Sequence, residues 1–231
     1  MNKLAKELVR IAEELSSDGI TDLELFKMVC NSYVGNGEKF VSMISDLIIM
    51  LSRFHGRLLD AVDNTVPTDA ENLLHLKREA YFIGRLFDQA KESLLKGEHE
   101  LNEVYNSAVY WKGRVGYWEF HGLSTSYPDE QKNAAEALRS YYLSFEGKWF
   151  NIEKNCILVF NSLDDYKSTV KGFIENNDSG SKLNRNIKMR FKKYFEMLED
   201  LSEVLEKAYY EIKAYYYHEW SKIWPNLEKI S

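Results

Sequence analysis

Apolar or small residues recur at every third and fourth position from Leu73 to Trp118, through Leu76, Ala80, Ile83, Phe87, Ala90, Leu94, Gly97, Leu101, Val104, Ala108, Trp111 and Val115. A 3.5-residue repeat kept this long is the pattern of helices that lie alongside each other in a coiled-coil-like seam. Lys96-Gly97-Glu98 is the place where a hairpin could turn, yet a second arm would have no need to keep the first arm's phase. The pattern therefore predicts one helix over about 69–121. Gly84, Gly97, Gly113 and Gly116 each cost roughly 1 kcal/mol against alanine, which places an expected kink or break around Gly113-Gly116.

A second series runs Ala135, Leu138, Tyr142, Phe145, Trp149, Ile152, Cys156, Val159, Leu163, Tyr166, Val170 and Phe173, and Gly147 interrupts it without shifting the phase. A third runs Ile187, Phe191, Tyr194, Leu198, Leu201, Leu205, Ala208, Ile212 and Tyr215 and ends near Pro225. Upstream, the pattern predicts a helix over 3–15, with Leu4, Leu8, Ile11, Ala12 and Leu15 on one face and a stop at Ser16-Ser17-Asp18-Gly19. Thr21 and Glu24 have capping-box spacing and open a helix to about Tyr33. Gly35-Asn36-Gly37 reads as a turn, because glycine and asparagine tolerate positive φ. Phe40, Ile44, Leu47, Leu51, Phe54, Leu58 and Ala61 then mark another helix, and Thr68 and Glu71 form a second capping box. Residues 122–127 and 176–181 read as loops. The expectation is all-α: an elongated antiparallel bundle of three long coiled-coil-like helices, with three shorter N-terminal helices along or capping it. Each long helix would run to about 70 Å at 1.5 Å per residue. Residues 18–231 form the bundle domain, and residues 1–17 form an N-terminal amphipathic helix that is detachable.

Composition agrees with helix. Only three prolines occur, Pro67, Pro128 and Pro225, and all fall between periodic stretches. A hydrophobic share of 45% is ample for a core. The formal charge of −6 argues against a nonspecific nucleic-acid binder, which needs a positive field, and against adsorption to anionic lipid. The longest strongly apolar run, Leu47 to Leu51, is far short of the ~20 residues of a spanning helix. The N-terminus alternates charged with apolar residues and has no secretory h-region. Cys30 and Cys156 sit at apolar helical positions without CxxC or Cys/His spacing, so buried thiols are expected. The expected compartment is the cytoplasm or a virion.

Candidate chemistry is sparse. The five histidines, His55, His75, His99, His121 and His218, form no Glu-x-x-His pair and no HExxH, so no metal and no cofactor are expected. There is no GxSxG and no glycine-rich phosphate loop. A basic run, Lys182, Arg185, Lys188, Arg190, Lys192 and Lys193, opens the last helix, where positive charge opposes the macrodipole. It is a candidate contact for phosphates or an acidic partner, although Phe191 and Tyr194 within it keep the core phase. Tyr209, Tyr210, Tyr215, Tyr216, Tyr217, Trp220 and Trp224 crowd the C-terminal region. Three consecutive tyrosines cannot all face one core, so these residues either dock a partner or are covered by the N-terminal helices.

Three resemblances bear on function. The stretch Leu4-Ala-Lys-Glu-Leu-Val-Arg-Ile-Ala-Glu-Glu-Leu15 resembles the N-terminal helix of tailed-bacteriophage virion proteins. Some of those use such helices for delivery into the prohead before protease trimming, and Ile11-Ala-Glu13 is similar to the sites cut. That implies a structural or internal virion component, with protein partners and homo-oligomerisation. An amphipathic N-terminal helix ahead of three long helices resembles the layout of N-BAR domains, which implies a membrane-surface scaffold. Arg114 and His121 resemble the Arg-x4-6-His signature of HEPN-family ribonucleases, with Val115 where that family usually has a polar residue. That resemblance implies an all-α ribonuclease in which both residues assist attack of a ribose 2′-hydroxyl.

Overall fold

The 3-4 hydrophobic series within the described residues become helices in the computed structural model, which describes residues 22–67, 73–122, 128–176 and 185–230. The helix expected over 3–15, the capping residues Thr21, Thr68 and Glu71, and Lys182 lie outside the described residues. Four long helices follow one another: α1 (Asp22–Thr65), α2 (Leu74–Phe120), α3 (Pro128–Asn176) and α4 (Arg185–Tyr215). A π-helical turn (Tyr216–Trp220), a 3-10 turn (Ser221–Ile223) and a short α5 (Trp224–Glu228) complete the chain, with Pro225 tolerated in the first turn of α5. No strand occurs among the described residues, so the all-α class stands.

The residues that keep the 3-4 spacing are the core. Every position of the Leu73–Trp118 series is buried except the half-buried Trp111, and every position of the Ala135–Phe173 series except the half-buried Phe173. α2 runs unbroken through Gly97, Gly113 and Gly116, and α3 through Gly147, so the expected break near Gly113 is absent. α2 stops where Gly122 adopts φ 64°, with the His121 and Gly122 amides donating to the Tyr117 and Glu119 carbonyls. A left-handed residue at this point is the usual glycine stop.

Two compact units divide the packing. The first takes the chain up to Met43, Gly97–Gly147 and Ile212 onward. Its core is aromatic: Phe40 meets Phe145 edge-on at 5.6 Å, Tyr33 lies 6.3 Å from Tyr142, and Phe26 meets Trp111 at 6.4 Å. Arg139 donates to the Leu227 carbonyl at 3.0 Å and also to that of Ile230, which anchors the chain end. The second unit takes Ile44–Lys96 and Lys148–Glu211. There Phe173 packs on Phe191 at 4.6 Å, Phe160 on Tyr209 at 5.2 Å, and the Tyr166 and Tyr194 hydroxyls bond each other at 3.0 Å. Asn155 donates to Ser93 Oγ at 2.6 Å, and Lys167 to Ser202 Oγ at 3.0 Å.

Two sequence expectations are corrected by this packing. Gly35-Asn36-Gly37 is not a turn, and the two helices expected on either side of it are the single α1. Gly37 is buried where a Cβ would lie 2.7 Å from Tyr105 Cδ2, so glycine there admits a close-packed ring. Asn36 donates to the Ser32 carbonyl at 2.9 Å and accepts the Tyr215 hydroxyl on Oδ1 at 3.0 Å. These contacts offset the cost of two helical glycines. The last series also changes phase: after Leu205 the buried positions are Tyr209, Ile212, Tyr216 and Trp220, leaving Ala208 and Tyr215 half-buried. Burying the Tyr209 ring removes far more apolar surface than burying Ala208 would, and the helix phase follows that gain.

Candidate functional site

Three places carry the residues singled out by the sequence. The first is the C-terminal aromatic group, and most of it lies inside the first unit. Tyr216 and Trp220 are buried, Tyr215 and Trp224 half-buried, and Tyr217 exposed. Trp220 packs 5.0 Å from Tyr33 and 5.4 Å from Phe40, while Trp224 stacks on Tyr142 at 4.5 Å. Tyr215 lies 5.5 Å from Phe40, with Lys39 Nζ 4.8 Å from its ring centroid. Tyr33 and Phe40 of α1 and Tyr142 and Phe145 of α3 thus pack against these rings. Burial pushes the Tyr142 and Tyr215 phenols up to about 12, and desolvation raises Tyr33 and Tyr216 as well. Tyr209, in the second unit, is also buried, and its neighbour Tyr210 is exposed.

The second place is the outward face of α2 near its C-terminus, in the first unit. Tyr110 is 60% exposed, Tyr117 50% and Phe120 86%. Arg114 sits among them. Its Nε donates to Glu130 Oε1 at 3.1 Å, and this bond holds the guanidinium pKa above its ordinary value. Its Cζ lies 5.7 Å from the Tyr117 ring centroid and 5.9 Å from that of Trp118. His121 is exposed, with its ring 4.3 Å from that of Tyr117. Residues seven apart lie on one helix face, and here both Arg114 and His121 touch the same tyrosine. Alongside, Lys27 forms an ion pair with Glu119 at 2.7 Å. Sequence reasoning found Arg114 and His121 but missed Tyr110, Tyr117 and Phe120. The available signal was large aromatics one residue before or two residues after the core positions Trp111, Val115 and Trp118.

The third place is the basic run, in the second unit. Phe191 and Tyr194 are buried in the core, as their phase implies. Arg185 and Lys192 are exposed and Lys188 is half-buried. Arg190 and Lys193 line an open groove of about 460 Å³ with Ala61, Asn64 and Thr65 of α1 and with Tyr194 and Met197. The run thus divides into cations on a groove and cations elsewhere on the helix.

Among the described residues no three His, Cys, Asp or Glu side chains converge as a metal site. Cys30 and Cys156 are free and buried, and burial lifts both thiols to about 12. No described helix is long and apolar enough to cross a membrane. Comparison of the chain with protein families, curated proteins and solved structures gives no match.

Proposed function

We propose that this chain is a non-enzymatic helical protein that works through its surface, with a protein partner seated on the α2 face around Tyr110, Tyr117 and Phe120. One observation carries the reading. Three large aromatic side chains remain exposed along three turns of one helix, while the 3-4 positions of all four long helices are almost entirely consumed by cores. Aromatic residues of this kind are the ones enriched where protein interfaces are fully desolvated. Antiparallel, coiled-coil-like seams belong to the same reading. Phe173–Phe191 and Tyr166–Tyr194 succeed one another in opposite senses along α3 and α4, and the connections between helices are short.

The resemblance of residues 4–15 to tailed-phage helices makes a virion component the most specific form, with other virion proteins or further copies of this chain as partners. The test is incorporation. The wild-type chain should be found in purified particles, and Tyr110→Ser combined with Tyr117→Ser and Phe120→Ser should abolish its incorporation without changing helical content by circular dichroism. Undiminished incorporation of the triple variant would overturn the docking face, and a purely host-cytosolic distribution would overturn the virion form.

A second reading has one observation in its favour, the contact of both Arg114 and His121 with Tyr117. In it the same face is the HEPN-like ribonuclease site. RNA cleavage that disappears in His121→Ala would support it, and unchanged cleavage in that variant would remove it.

A further inference from the structure

The groove that holds Arg190 and Lys193 is a different surface from the α2 aromatic face, and its chemistry points to a different ligand. Two cations converge on one concavity of about 460 Å³. Neither makes an ion pair or a hydrogen bond among the described residues. The groove lies at the end of α1, which has no basic residue of its own in its last turn. Cations placed to complement its dipole would donate to the free carbonyls there, and these two do not.

Among the described residues no carboxylate lines the groove, and that of Asp63, next to Asn64 in sequence, is held elsewhere. Asp63 is bound by Lys77 at 2.5 Å and by the Tyr81 hydroxyl at 2.9 Å, and these bonds hold its carboxyl below the ordinary range. Its partners are Lys77 and Tyr81, and it does not line the groove. The rest of the wall is of mixed character. Asn64 spends its amide nitrogen on the Asp60 carbonyl at 2.8 Å, and Thr65 adds a hydroxyl. Ala61, Tyr194 and Met197 are an apolar floor. The Tyr194 ring is held by its hydroxyl bond to Tyr166.

We propose that this groove binds a phosphate monoester, with the phosphate between Arg190 and Lys193 and the organic part on Ala61, Tyr194 and Met197. Paired cations suit a dianionic phosphate, arginine gives it a directional fork of donors, and lysine adds a point charge. A phosphate monoester can be a soluble metabolite or a lipid headgroup, and the experiment separates the two.

The test uses the full chain at low ionic strength with three probes: inorganic phosphate, adenosine monophosphate, and vesicles containing phosphatidic acid. Titration calorimetry reads the soluble probes and co-sedimentation reads the vesicles. The expected result is saturable binding of at least one ester probe, tighter than inorganic phosphate and weakened about tenfold or more by Arg190→Gln or Lys193→Gln. Lys192→Gln removes the same charge from an exposed position outside the groove and should leave affinity unchanged. Circular dichroism and thermal melts confirm that the variants fold. Binding of adenosine monophosphate identifies a soluble ester, and binding confined to vesicles identifies a headgroup. The proposal is overturned if no probe binds, or if Lys192→Gln weakens binding as much as the groove substitutions.

Discussion

Gly35 and Gly37 lie in the same turn of α1, yet a Cβ at Gly35 would meet nothing within 4 Å, whereas one at Gly37 would press on Tyr105 at 2.7 Å. Gly35→Ala is expected to stabilise the protein by about 0.5–1 kcal/mol, the ordinary gain in a helix interior. Gly37→Ala has the same propensity gain but overpacks an aromatic ring, which costs about 1–3 kcal/mol, so a net loss of about 1 kcal/mol is expected. Urea unfolding of the two variants checks the difference in sign. Cys30 and Cys156 have thiols raised to about 12 by burial, so almost no thiolate exists at neutral pH. Neither thiol should react with a disulfide reagent in the native protein, and both should react once it is unfolded; rapid modification of the native chain would contradict the packing of both cores. The identity of the buried residues was legible in the sequence at this scale. The function of Gly37 was not, because its partner Tyr105 is 68 positions away and only packing brings the two together.

At the scale of the element, long helices were readable because the 3-4 spacing carries its own phase. The same criterion extends through Gly37, since Phe26, Cys30, Tyr33, Gly37, Phe40 and Ile44 are in register. Local turn chemistry competes with that register, and tertiary packing outweighs turn chemistry in the fold. The last helix departs from expectation for another reason: from Tyr209 onward the seam shifts by one residue, to Tyr209 in place of Ala208 and Tyr216 in place of Tyr215. A π-helical turn over Tyr216–Trp220 carries the burial from Tyr216 to Trp220 and on to Ile223. Aromatic residues on adjacent positions make two phases readable there, and the cover supplied by α1 and α3 decides between them. Pairing of α3 with α4 rests partly on the buried Tyr166–Tyr194 hydroxyl bond. Tyr166→Phe or Tyr194→Phe alone leaves the other hydroxyl buried without its partner and should cost about 1–2 kcal/mol. The double variant should cost less than the sum, and a double-mutant cycle by chemical denaturation checks this.

Across the whole molecule, burial of weak acids sets an alkaline limit. Cys30 and Cys156 rise from 9.0 to about 12, and Tyr142 and Tyr215 from 10.0 to about 12. A group raised in the folded state contributes its full stability below its unfolded pKa and loses it as pH climbs to the folded value. The thermal midpoint should therefore hold to about pH 9 and fall progressively towards about pH 12. Function was less legible than fold. The C-terminal tyrosines and tryptophans attracted attention by their density, but Tyr209, Tyr216 and Trp220 are interior. The aromatic face of α2 is hard to read from sequence because Tyr110 and Tyr117 each stand beside a tryptophan of the 3-4 series, Trp111 and Trp118. What separates the two groups is tertiary cover, from Phe160 of α3 over Tyr209 and from Phe40 of α1 and Phe145 of α3 over Tyr216 and Trp220, which no local pattern encodes. The most direct measurement is hydroxyl-radical footprinting of the chain, first purified and then within the particles or complexes in which it occurs. The account predicts strong labelling of Tyr110, Tyr117 and Phe120 and protection of Tyr216 and Trp220 in the purified chain, with the first three becoming protected in the assembly. Equal labelling of Phe120 in both settings, or strong labelling of Trp220 in the purified chain, would contradict it.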